Sequence, residues 1–189
     1  MSKETRKEEI LRVAAQLFKE KGYSAVTMRD LAKAMGIKAA SLYNHIDSKQ
    51  AILQDIILEI AEDFTSGMKN IQNSDKSSFE KLKDIVTLHV EIAANNANGL
   101  SALNSDWMHL EGKLEYYLNL RQNYEANFKR IVEIGITKEE IRPVDPEILM
   151  FSMLSTLRSL YLWIPKKTNK DLDLLTQDLS TILLEGINK

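Results

Sequence analysis

Apolar residues recur at helical spacing along most of the chain. Ile10, Val13, Ala14, Leu17 and Phe18 follow an i, i+3, i+4, i+7, i+8 pattern and predict an amphipathic helix ending before Gly22. Thr27-Met28-Arg29-Asp30 has the form of a capping box, in which the Thr27 hydroxyl accepts from the Asp30 amide and the Asp30 carboxylate reaches back. It predicts a second helix to about Met35 that buries Leu31 and Met35. Gly36 falls where the chain must leave that helix with a positive φ. Ile37 then re-enters the core, and a third short helix covers about Lys38 to His45. Asp47 or Ser48 can cap a fourth, long helix reaching about Ile71, with Ile52, Leu53, Ile56, Ile57, Ile60 and Phe64 on one side.

The helical pattern continues to the C-terminus. Ser77-Ser78-Phe79-Glu80 is a second capping box, leading into a helix with Leu82, Ile85, Val86, Leu88, His89 and Ile92 until the Asn95–Gly99 break. A helix is expected through Trp107 to Leu110, and another from near Gly112 to about Gly135. Asp145-Pro146 predicts a helix start, with Asp as cap and Pro in the first turn; that helix is expected to run to Ile164, where Pro165 stops it. A last helix covers about Asn169 to Ile187, presenting Leu172, Leu175, Leu179, Ile182 and Leu183. The fold class is all-α: a three-helix helix-turn-helix head over residues 1–47, then a multi-helix body over 48–189.

A helix-turn-helix needs a small residue where the helices approach, a turn glycine and two apolar locks. Ala32, Gly36, Ile37 and Leu42 supply them. The other face of the third helix then projects Lys38, Ala39, Ala40, Ser41 and Asn44 toward a major groove. There, Ala methyls can meet thymine methyls, while Lys, Ser and Asn offer hydrogen bonds to base edges.

Charge sharpens this picture. The chain of 189 residues is nearly neutral, at −2, but residues 1–50 hold ten Lys/Arg against six Asp/Glu, a formal +4, and the remainder carries −6. Such a split suits a polyanion-facing head on a body that does not attract polyanions. The absence of Cys excludes a disulfide framework, thiolate metal sites and a cysteine nucleophile. No apolar run approaches the ~18–20 residues that cross a bilayer, and Met1 to Lys7 lacks the apolar core of a signal peptide, so a cytoplasmic protein is expected. An enzyme is disfavoured: His45, His89 and His109 stand far apart, and no HExxH, GxSxG or glycine-rich phosphate loop occurs. His89, Asp106 and His109 have no metal-ligand spacing, and neither metal nor cofactor is expected.

Residues 5–53 resemble the DNA-binding head of the TetR/AcrR family of bacterial transcription regulators. The likeness runs through Ile10, Ala14, Leu17-Phe18, Gly22-Tyr23, Thr27-Met28-Arg29-Asp30-Leu31-Ala32, Gly36-Ile37, Ser41-Leu42-Tyr43-Asn44-His45-Ile46, Ser48-Lys49 and Leu53. Lys38, where the family often has a Ser or Thr cap, and Ile46, in place of a common Phe, depart from it. The resemblance implies backbone contacts from Thr27 and Met28 at a helix N-terminus, from Tyr43 and His45, and from Lys49 at the start of the fourth helix. It also implies a homodimer on a palindromic operator, through the penultimate and last helices, with Leu157, Leu160, Tyr161, Leu175, Leu179, Ile182 and Leu183 at the interface. The penultimate helix is apolar nearly all round, more than one protomer's core requires. Trp107, Leu110, Tyr117, Leu120, Arg121, Tyr124, Phe128, Met150, Met153 and Leu154 form the expected effector pocket.

A weaker likeness of the C-terminal half to the acyl-CoA and lipid-responsive branch rests on Asp106-Trp107, Leu120-Arg121, Tyr124-Glu125, Gly135-Ile136, Ile141-Arg142-Pro143, Asp145-Pro146 and Leu160–Trp163. It implies a hydrophobic small-molecule effector, acyl-CoA or lipid-like, that releases a repressor from its operator. A helical small-molecule carrier that does not act on DNA, an activator, and an architectural nucleoid protein stand as alternatives.

Overall fold

The computed structural model describes residues 4–167 and 171–186; their regular structure is entirely helical. Helix α1, Arg6–Lys21, starts on a capping box: the Glu8 amide donates to Thr5 Oγ1 at 3.2 Å and the Thr5 amide to the Glu8 carboxylate at 2.6 Å. It buries Ile10, Ala14, Leu17 and Phe18, while Val13 is half-buried. After a single 3₁₀ turn, Tyr23–Ala25, comes α2, Met28–Ala34. Gly36 has φ +66°, and the amides of Gly36 and Ile37 donate back to the carbonyls of Lys33 and Ala32 at 3.1 and 3.0 Å. These two bonds are the Schellman closure that only a left-handed residue permits at low cost. Met35 serves as the C-cap and is half-buried, less than expected. Helix α3, Ala39–Tyr43, follows, and then α4, Lys49–Asn73, one unbroken helix of 25 residues. Of the two candidate caps Ser48 does the work, accepting from the Ala51 amide at 3.0 Å.

The chain forms two compact units, residues 1–61 with 98–117, and 62–97 with 118–189. In the first, Ile10, Phe18, Leu31, Leu42, Ile52, Leu53 and Ile57 make the core. Helix α6, Ala97–Ser105, supplies residues from 98 onward, followed by single 3₁₀ turns at Trp107–His109 and Glu111–Lys113 where one helix through Leu110 was expected. Those turns are fixed to the start of α4. Gln50 Nε2 donates to the His109 carbonyl at 2.5 Å and Gln54 Nε2 to the Leu110 carbonyl at 3.2 Å, while the Tyr23 and His109 rings stack at 5.3 Å. Compactness therefore divides the chain elsewhere than at 47/48, because this later segment packs with the first helices.

The second unit holds α5, Ser78–Asn95; most of α7, Leu114–Thr137; α8, Pro146–Arg158; α9, Leu160–Trp163; and α10, Leu172–Ser180, which runs into a π turn at Thr181–Glu185. Met68, Leu82, Ile85, Val86, Phe128 and Met153 are buried in it. The Ser77–Glu80 box and the Asp145 cap with Pro146 form as the sequence predicts. Gly135 lies inside α7, not at its end. A Cβ there would stand 2.7 Å from that of Ser78 and 2.5 Å from Ile141 Cδ1, so its lack of a side chain serves close packing. The expected single helix from Pro146 to Ile164 is broken at Ser159, six residues before Pro165. Ser159 Oγ donates to the Ser155 carbonyl at 2.9 Å and Thr156 Oγ1 to that of Ser152 at 3.4 Å, back-bonds that bend helices. The expected ends of the last helix, Asn169 and Ile187, lie outside the described residues.

The 21-residue stretch Pro146–Lys166 is long and apolar enough to cross a bilayer by length and composition. It has no long unbroken apolar run, because Ser152, Ser155, Thr156 and Arg158 interrupt it, yet its mean hydropathy stays high. Its exposed positions include Ile148, Phe151, Leu162 and Trp163.

Candidate nucleic-acid interface

Leu42 and Tyr43 divide the two sides of α3. Leu42 is fully buried, whereas Tyr43 is 53% exposed. Lys38, Ala40, Ser41, Asn44 and His45 are exposed around it, and Ala39 is half-buried. The short helix, locked by Leu42 beneath and by the Gly36 turn before it, thus holds out two methyls, a hydroxyl, an amide, an ammonium and a phenol. This is the donor, acceptor and methyl set that base edges and phosphates can be read with. Tyr43 is no core tyrosine.

At the start of α2, Thr27 is exposed and Met28 half-buried. The Thr27 hydroxyl accepts from the Asp30 amide at 3.2 Å and donates to Asp30 Oδ2 at 2.5 Å, and the Thr27 amide donates to the same oxygen at 2.9 Å. These hydrogen bonds hold the Asp30 carboxyl below the usual carboxylate range. Thr27 therefore both caps the helix and keeps its hydroxyl at the surface. Lys49 is turned inward. Its Nζ donates to the Tyr23 carbonyl at 2.9 Å and sits 4.3 Å from the centre of the Tyr23 ring, so the side chain ties α4 to the turn after α1. Tyr23 Oη in turn donates to Gln50 Oε1 at 2.6 Å. Lys49 Nζ also lies 3.5 Å from the Ser24 carbonyl.

The residues expected to form an effector pocket divide between the two units. In the first, Leu110 and Tyr117 are buried and the Trp107 and Tyr117 rings lie 6.0 Å apart. In the second, Tyr124, Phe128, Met153 and Leu154 are buried, and Leu120, Arg121 and Met150 half-buried. The second unit also holds two residues that sequence reading left out of this set. His89 Nε2 lies 3.0 Å from Tyr124 Oη, and the Phe64 ring sits 4.6 Å from that of His89. Burial, with a smaller contribution from Arg158, lowers His89 to about 3, and burial also raises Tyr124. The pair is a neutral polar contact inside an apolar body. The signal was present, since His89 follows Leu82, Ile85 and Val86 on the buried stripe of α5. Arg121 Nε donates to Glu125 Oε1 at 3.2 Å, and Arg158 donates to the same oxygen at 2.6 Å. Burial pushes Glu125 up, but these hydrogen bonds outweigh it and hold the carboxyl below its ordinary value.

The residues expected at a dimer interface differ in their burial within one protomer. Leu157 and Leu160 are buried within the unit, where α8 and α9 pack on α5. Tyr161, Leu175, Leu179 and Leu183 are half-buried and Ile182 is exposed. Exposed apolar surface is carried by Ile182 together with Phe151, 69% exposed, Ile148, 66% exposed, Leu162 and Leu174. A helix apolar nearly all round gives no periodic signal of which side faces inward, so sequence could not separate the two sets.

Residues 10–56 match the family described as bacterial regulatory proteins, tetR family, and residues 75–187 match the tetracyclin repressor-like C-terminal domain. The chain is 26% identical over 188 residues, 98% of its length and 92% of the relative's, to the HTH-type transcriptional repressor KstR2 of Rhodococcus jostii (strain RHA1). It is 28% identical over 156 residues, 80% of each chain, to the nucleoid occlusion factor SlmA of Vibrio atlanticus (strain LGP32). Among solved structures, the ketosteroid transcriptional regulator KstR2 of Mycobacterium tuberculosis aligns with a TM-score of 0.90 over 100% of this chain and 97% of its own, at 21% identity, a likeness of fold.

Proposed function

Because the chain belongs to the TetR family of bacterial regulatory proteins and is a DNA-binding transcriptional regulator, we propose that it is a cytoplasmic homodimeric repressor, released from a palindromic operator by a hydrophobic small molecule. Residues 1–47 act as the DNA-reading head and 48–189 as the effector-binding and dimerisation body. The observation that carries this reading is α3, where buried Leu42 backs an exposed face of Lys38, Ala40, Ser41, Tyr43, Asn44 and His45. Ala39, Ala40, Ser41, Lys38 and Asn44 face base edges; Thr27, Met28, Tyr43 and His45 position the head on phosphates. Lys49 contributes by holding the Tyr23 turn against α4.

Effector control runs through α4. Gln50 and Gln54 grip the carbonyls of His109 and Leu110, so a ligand that displaces the turns around Trp107 pulls on the helix carrying the head. The ligand needs a differential affinity of about 1–3 kcal/mol for the released state, the usual range of allosteric coupling. An acyl-CoA or other lipid-like effector suits the aromatic and Met-rich residues around Tyr124, Phe128 and Met153, and the M. tuberculosis relative carries the name of a ketosteroid regulator. Family membership sets aside a carrier that ignores DNA. The likeness to a nucleoid occlusion factor keeps a chromosome-organising role as the second reading.

Selection of bound sequences from a random duplex pool tests the proposal. An inverted repeat should be enriched, with half-sites about one helical turn apart. A pool that yields no motif, with similar affinity for all duplexes, favours the architectural role.

A further inference from the structure

Among the described residues, two that are not glycine have a positive φ: Glu139 at +60° and Glu111 at +45°. The first closes a helix. The amides of Glu140 and Ile141 donate to the Gly135 carbonyl at 2.8 and 3.1 Å, so Glu139 is the left-handed residue that ends α7. Glu111 has no such duty. It is exposed, follows the turn Trp107–His109 and Leu110, and directly precedes Gly112. That glycine does not take a positive φ, and a Cβ added to it would meet nothing within 4 Å. The strained conformation thus falls on a residue that resists it, beside one that accepts it freely. Helix α4 holds it there. Leu110 is fully buried; its carbonyl accepts from Gln54 Nε2 at 3.2 Å and from the Lys113 amide at 3.0 Å, while Gln50 Nε2 donates to the His109 carbonyl.

The Leu110 carbonyl and the Glu111 amide share one planar peptide group, so rotation about φ of Glu111 turns the acceptor that Gln54 grips. We infer that residues 109–113 form a two-state turn. In the state described, Gln50 and Gln54 hold Glu111 left-handed. In the second, Gly112 is left-handed in its place, Glu111 relaxes to a negative φ, and the Leu110 carbonyl leaves Gln54. Strain of this kind persists only where the surroundings impose it, and it recurs in switch regions. A ligand that favours the second state frees the start of α4. That last link rests on the repressor reading above; the two states of the turn do not.

Amide relaxation-dispersion NMR of the full-length protein, without DNA or ligand, tests this. Exchange between two states on the microsecond-to-millisecond scale is expected at residues 110–114. Glu111→Asn, whose side chain tolerates the left-handed region, should reduce the exchange contribution about threefold or more. Glu111→Gln, which removes the charge and keeps the strain, should leave it as in the wild type. Gly112→Ala and Gly112→Asn both add a Cβ in open space, but only asparagine accepts a positive φ readily. Exchange should therefore be quenched in Gly112→Ala and persist in Gly112→Asn. The inference is overturned if the wild type shows no exchange, if alanine and asparagine at 112 act alike, or if Glu111→Asn changes nothing. Positions 111 and 112 are exposed, so these variants keep the fold. No duplex is present, so none of these outcomes depends on operator binding.

Discussion

Tyr43 and its neighbour Leu42 occupy adjacent positions yet serve opposite purposes, one toward solvent and one beneath α3. Phosphate contacts are shared by every duplex, whereas base contacts discriminate. Tyr43→Phe should therefore weaken binding to operator and scrambled duplex by a similar factor, with unchanged thermal stability, while Ser41→Ala should alter the preferred sequence; binding to a panel of operator variants separates the two. A change of preference in Tyr43→Phe would reverse the assignments. His89 makes a prediction of a different kind. Its folded value, about 3, lies below its ordinary 6.5, so the unfolded chain takes up the proton first. Stability from keeping His89 neutral is complete above about pH 6.5 and declines as pH falls toward 3. Urea unfolding at pH 7.5, 6 and 5 should show that decline, and His89→Gln should flatten it; equal slopes in both proteins would contradict the burial argument. The exposed face of α3 over buried Leu42 could be read from residue types at fixed spacing. His89 could not be placed with Phe64 and Tyr124, because that contact joins positions far apart in the chain.

Helix starts were legible because their chemistry is local. Thr27 with Asp30, Ser77 with Glu80, and Asp145 with Pro146 each satisfy end amides within four residues. Ends and breaks depended on what lies elsewhere. Gly135 looks like a stop signal in sequence, but it is the contact point of α7 with Ser78 and Ile141. Gly135→Ala should cost about 1–3 kcal/mol, as overpacking does in a tight core. Gly67→Ala should cost less, since there the new methyl meets only the terminal methyls and Cγ of Leu88, a side chain able to turn away. Denaturation midpoints of the two variants give the order; a larger loss at Gly67 would contradict it. The break at Ser159 escaped notice because Ser and Thr within a helix are ordinary until their hydroxyls bond backward.

At the scale of the molecule, exposed Ile148, Phe151, Leu162 and Leu174 call for a partner surface, and a second copy of the chain supplies one by two-fold symmetry. Phe151→Glu should shift the protein from dimer to monomer in sedimentation while its helical content persists, and should weaken operator binding severely, because one head makes half the contacts. A monomeric wild type, or a dimeric Phe151→Glu protein, would contradict that interface. Sequence gave a good account of the all-α class and the head. The hydrogen bonds by which Gln50 and Gln54 fasten the turns at 109 and 110 to the start of α4 join positions far apart in the chain and leave no local signal. The central claim remains that α3 enters and reads the major groove. Its most direct test is an anisotropy titration against the selected operator and a scrambled duplex, at salt from about 50 to 200 mM, for the wild type and Ala40→Glu. A wild-type preference of about a thousandfold or more is expected, with a steep loss of affinity as salt rises. The glutamate, set on an exposed face where it leaves the fold intact, should abolish that preference; its survival in Ala40→Glu, or equal wild-type affinity for both duplexes, would show that α3 does not read DNA.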